Sequence, residues 1–104
     1  MRSVHAKAIH AFMAGDSLRP GPRDRTAKNC QNSEVIHSWF YHESEIARFR
    51  EGIGVFVNWQ DWFTPSTSQR IYSLAGFLGC KKPEKKVGWI KLEFDEAIYA
   101  QAIK

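Results

Sequence analysis

Cysteine is scarce in this chain: Cys30 and Cys80 are its only two among 104 residues. A secreted domain stapled by disulfides usually carries four or more, so the count points to a reducing compartment. No apolar run approaches the ~18–20 residues that span a bilayer. The broken apolar stretch after Met1-Arg2-Ser3-Val4-His5-Ala6-Lys7 is unlike a secretory leader. A cytoplasmic protein is expected. Glycine-rich loops that could cradle a phosphate are missing as well, since Gly52-Ile53-Gly54 reads as a simple turn.

The patterns of metal and nucleophile chemistry are equally absent. His5 and His10 are five apart on a helical pattern and point to different sides. His37 and His42 are five apart on a strand pattern, which sends them to opposite faces. Neither cysteine has a close partner of the kind found in zinc knuckles. Neither sits in the strand-turn-helix elbow that would activate a nucleophile. The paired carboxylates Glu43/Glu45 and Asp95/Glu96 fall in a polar turn and at a helix start. The expectation is a protein with no catalytic centre, no metal and no cofactor.

What is present is aromatic and basic. Aromatic residues make up 13% of the chain, with four Trp and seven Phe, which argues for a packed core and against disorder. A chain of this length buries roughly 60–70% of its unfolded surface, enough for one domain spanning 1–104. The net charge of +4 favours an acidic partner, either nucleic acid or an acidic protein surface, and excludes a polyanionic mimic of DNA.

Along the chain, residues 3–14 carry Val4, Ala8, Ile9, Phe12 and Met13 on one helical stripe, with Ser3 as cap and Gly15 as stop. Residues 15–34 show no periodicity, hold Pro20 and Pro22, and read as a long basic loop. From Val35 the period changes to two. Val35–His42, Ile46–Arg50 and Gly54–Trp59 are predicted as three strands of an antiparallel meander. Ile46 and Arg48 are expected on one face, Ala47 and Phe49 on the other. Ser66 to Gln69 has the spacing of a capping box, followed by Ile71, Leu74, Ala75 and Leu78 on one helical face and Arg70 on the exposed one. After a lysine-rich turn, Val87–Phe94 alternates as a fourth strand, and a short helix is expected over 96–103. The predicted fold is α+β: an antiparallel sheet of about four strands with its helices on one face, in the order α-β-β-β-α-β-α.

Two features stand out as binding candidates. The first is cationic: Arg19, Arg23, Arg25 and Lys28 in the long loop, with Lys81, Lys82, Lys85 and Lys86 in the lysine turn. The second is aromatic: Trp59, Trp62 and Phe63 precede the second helix, and Arg70 follows within it. An exposed ring there could stack on a base or anchor a protein interface.

Several short segments recur together: Asn32-Ser33-Glu34-Val35, Phe40-Tyr41-His42, Ile46-Ala47-Arg48, Trp62-Phe63-Thr64-Pro65-Ser66-Thr67 and Arg70-Ile71. In this, residues 32–79 resemble a group of short bacteriophage and prophage proteins. The chain departs from their pattern at Glu43-Ser44, where they often carry Gly-Asn, and at Ser66, which replaces the first Thr of a pair. The resemblance implies a phage or mobile-element origin and carries no functional residue over. The expected function is therefore a small non-catalytic binding protein that modulates a host protein or ribonucleoprotein complex. Inhibition of a CRISPR or restriction system is its most concrete form, and direct nucleic-acid binding through the basic segments is the alternative.

Overall fold

A computed structural model describes residues 3–94. Helix α1 (Ser3–Ala14) opens the chain, followed by β1 (Asp24–Gln31), β2 (Glu34–Tyr41), β3 (Ser44–Arg50) and β4 (Gly54–Val57). Helix α2 (Pro65–Phe77) and the short β5 (Ile90–Leu92) complete it. The five strands form one antiparallel sheet in sequence order, β1-β2-β3-β4-β5. The class is α+β, and the strand count is one higher than the sequence predicts. The helix expected over 96–103 lies outside the described residues.

The extra strand is β1, which corrects the reading of 15–34 as an unstructured loop. Its alternation is real but almost wholly polar. Asp24 and Thr26 are buried, whereas Lys28, Asn29, Cys30 and Gln31 are exposed, so no hydrophobic signal marks it. Pairing with β2 holds it, with Asp24 opposite Tyr41 and Gln31 opposite Glu34. The hairpin closes at Asn32 and Ser33, both at left-handed φ (51° and 65°), the geometry that matches strand twist in a two-residue turn. Leu18 bonds Thr26 in both directions (2.9 and 3.3 Å), which occupies the outer edge of β1 at Thr26.

Both helices pack on the same sheet face. There, Trp39 of β2, Ala47 of β3, Val55 and Val57 of β4, and Leu92 of β5 meet Ile9 and Phe12 of α1 and Ile71, Leu74 and Ala75 of α2. Strict alternation fails once. A bulge on β3, opposite Trp39 and Phe40 of β2, pairs Ala47 with Trp39 and Glu45 with Phe40, leaving Ile46 as an additional residue. Ile46 and Ala47 are therefore both buried, contrary to the opposite faces expected for them.

The helix termini follow local chemistry. Gly15 stops α1 at φ +79°, and a side chain there would meet the His37 ring at 2.8 Å. At α2 the cap is Thr64, two residues before the Ser66 predicted. Its backbone is extended and its hydroxyl accepts from the Thr67 amide. Pro65 explains the shift: it has no N–H to satisfy and its fixed φ suits the first helical position. The exposed face of α2 is also narrower than predicted, because Arg70 turns inward. It donates to both oxygens of Asp24 at 2.8 Å and to the Ser66 carbonyl at 3.0 Å. Trp39 adds an indole N–H to the same carboxylate at 2.9 Å, and Asp24 is 1% exposed. No helix among the described residues is long and apolar enough to cross a membrane.

Candidate functional site

The sheet face opposite the helices presents the alternate residues of each strand. β1 contributes Arg25, β2 Glu34, Ser38 and Phe40, β3 Glu45, Arg48 and Arg50, β4 Phe56, and β5 Lys91. Three arginines on this face are each held by a carboxylate. Arg50 reaches Glu34 through Nε (2.6 Å) and Nη2 (2.8 Å). Arg48 forks onto Glu45 at 2.6 and 3.1 Å, and Ser38 donates to the same carboxylate. Arg25 bonds Glu43 at 3.0 Å in the β2–β3 turn.

Two of these arginines also lie over aromatic rings. The Arg25 guanidinium sits 4.0 Å from the centre of Phe40, and that of Arg48 sits 4.8 Å from Trp89. Such stacks order the guanidinium before any partner arrives. Trp89 is 37% exposed and Val87 beside it is 75% exposed, so apolar surface continues from the face toward β5.

Ion-pair electrostatics follow from the same forks. Hydrogen bonds from Arg50 hold the Glu34 carboxyl below its ordinary 4.5, burial opposing them, and Glu34 raises Arg50 in turn. A carboxylate with a depressed folded value contributes stability above the unfolded value, and that contribution is lost as pH falls through the folded one. Carbon-13 NMR titration is expected to find the Glu34 midpoint below 4.5 in the native chain and back near 4.5 in Arg50→Gln. Unchanged midpoints would break the assignment.

The residues expected to bind from the sequence are scattered. Arg19, Arg23, Arg25 and Lys28 lie in or beside β1, one edge of the sheet. Lys81, Lys82, Lys85 and Lys86 precede β5, the other edge, and Lys82 rests over the Tyr72 ring. The full width of the sheet separates the strands that the two groups flank. Two candidates belong to the interior. Trp59 is fully buried and donates to Ser68 at 3.0 Å, because the core between sheet and α2 needs its volume. Arg70 is 8% exposed and spent on Asp24, with its guanidinium 3.8 Å above the Tyr41 ring. Trp62, by contrast, is 63% exposed.

Sequence reasoning passed over Phe40, Arg48, Arg50, Phe56 and Trp89. The available signal was the outward half of each strand's alternation, where arginines and aromatic rings replace the small polar residues usual on a solvated face.

Among the described residues no three of His, Cys, Asp and Glu stand close enough to hold a metal ion. Cys30 is exposed on β1, and burial, with help from Glu93, pushes the Cys80 thiol up. His37 is buried between helix and sheet, its Nδ1–H donating to the Phe12 carbonyl at 2.8 Å and its Nε2 meeting Glu51 at 2.5 Å. That pairing ties the end of α1 to β2. Comparison with models of protein families, with curated proteins and with solved structures finds no match to this chain.

Proposed function

We propose that this chain is a non-catalytic binding protein of a phage or mobile element that docks on a host protein, in the host cytoplasm, through the helix-free face of its sheet. One observation carries the reading. The three arginines of that face are pre-paired with carboxylates and two of them are stacked on aromatic rings, so the face is rich in the residue types that dominate protein interfaces while most of its positive charge is already balanced. Phosphate backbones favour cations that are free to replace counterions, and arginines forked onto glutamate are not. An ordered arginine also loses little side-chain entropy on docking. Blocking a CRISPR or restriction complex is the concrete form this takes.

Affinity capture from host cells, with and without nuclease, tests it. A specific protein is expected to co-purify despite nuclease, and the double substitution Arg48→Ala/Trp89→Ala is expected to weaken its binding about thirtyfold or more, as for the loss of a hot spot. Capture that vanishes with nuclease, or that ignores the double substitution, would count against the sheet face.

A second reading has its own support. Lys81, Lys82, Lys85 and Lys86 are all exposed, and none is in an ion pair among the described residues. Direct nucleic-acid binding there would show as an affinity that falls steeply with salt.

A further inference from the structure

At the end of the sheet where β2 turns into β3, a cavity of about 450 Å³ opens against the start of α2. That volume lies within the range of small-molecule sites, roughly 300–1,000 Å³. Trp59 and Ile46 supply an apolar floor. Trp62, 63% exposed, stands as a wall, and its backbone is fixed by a tight turn: its N–H donates to the Trp59 carbonyl at 2.9 Å, and Gln60 within the turn donates to the Glu45 carbonyl at 2.7 Å.

Hydroxyls make up most of the polar groups around this floor. Tyr41 is 9% exposed, lines the cavity, and among the described residues its phenol has no hydrogen-bond partner, although its ring is held by Arg70 behind it. Its hydroxyl keeps access to the open space of the cavity, where it can donate or accept. Ser44 and Ser66 line the same space with hydroxyls that can both donate and accept. No Asp, Glu, Lys or Arg lines it. The interior therefore suits an uncharged, flat group with donors and acceptors along its edge.

The mouth has the opposite character. The amide of His42, a lining residue, donates to the Arg23 carbonyl at 2.9 Å, which places the Arg23 backbone beside the rim and its side chain within the length of one arginine of it. Arg23 is exposed and is in no ion pair among the described residues. The N-terminus of α2 meets the same cavity through Thr64, Ser66 and Thr67, and a helix start favours negative charge. Flat and neutral inside, anionic outside, is the chemistry of a nucleobase carrying a phosphate.

From this geometry we propose that the cavity binds an unpaired nucleotide, its base against Trp62 and hydrogen-bonded to Tyr41, its phosphate toward Arg23. The ligand comes either as a free mononucleotide or as one unit of a single strand. This site is separate from the sheet face and does not depend on it.

Calorimetric titration of the full chain with adenosine and uridine 5′-monophosphates, inorganic phosphate and a ten-nucleotide oligouridine distinguishes the cases. At least one mononucleotide or the oligonucleotide is expected to bind, and phosphate alone is not. Trp62→Ala should weaken binding about five- to a hundredfold, the range for losing a base stack. Tyr41→Phe keeps the ring and should weaken it about three- to tenfold through the lost hydroxyl. A mononucleotide that binds as tightly as the oligonucleotide identifies a free ligand, and a tighter oligonucleotide identifies a strand. The proposal is overturned if neither binds at millimolar concentration, if phosphate alone binds equally well, or if affinity survives both substitutions. It is likewise overturned if oligonucleotide binding is lost only when Lys81, Lys82, Lys85 and Lys86 are replaced together.

Discussion

Asp24→Ala is expected to destabilise the fold by about 3–5 kcal/mol, the usual consequence of stripping one partner from a buried ion pair. Asp24 accepts three hydrogen bonds, two from Arg70 and one from Trp39. Removing it strands a guanidinium that is only 10% exposed at the side chain and orphans an indole N–H that is fully buried. The loss is large beside the net stability of a small domain, about 5–15 kcal/mol. Replacing both partners, as in Asp24→Ala/Arg70→Met, should recover much of it, since an apolar pair asks for no solvation. Urea denaturation followed by far-ultraviolet circular dichroism measures both. A single-variant loss below about 0.5 kcal/mol, the level of ordinary surface changes, would show that the pair does not hold β1 to α2.

The second large effect separates two tryptophans three residues apart. Trp59→Ala is expected to cost about 3–5 kcal/mol, because it empties a fully buried site and removes the donor to Ser68. Phe63, stacked on its ring at 6.2 Å, and Tyr72, edge-on at 6.0 Å, would lose their common neighbour. Trp62→Ala should stay within about 0.5 kcal/mol of the native chain, since its ring stands in solvent. Equal denaturation midpoints for the two variants would contradict the placement of both.

Much of the architecture was legible because it was written in apolar periodicity. Ile9 and Phe12 in α1 and Ile71 and Leu74 in α2 each occupy the buried stripe that their spacing predicts. β1 escaped because its inward residues are Asp24 and Thr26, whose partners come from elsewhere: Arg70 forty-six residues on, and the Asp16 carbonyl. Polar burial of that kind depends on tertiary pairing and leaves no local trace. Arg70 misled for the same reason, since a cation on a helix reads as solvated until its counter-charge is located. The cap moved from Ser66 to Thr64 because Pro65 takes the first helical position, a choice the proline alone could have indicated. Among the aromatic candidates, Trp62 is the ring that stands most exposed. The arginines of the sheet face form no charge run, because Arg48 and Arg50 alternate along β3 and Arg25 lies on β1.

The way the sheet ends on either side has a further consequence. An open row of backbone amides and carbonyls is a template on which another copy could add its own strand, and repetition of that step produces fibres. Here one flank is met at Thr26 by Leu18 and continues with Lys28, Asn29 and Gln31, while the other, among the described residues, ends in a strand of three residues. Neither offers a long, greasy stretch to copy, so the molecule can display aromatic rings on a bare sheet and still resist polymerising through its margins.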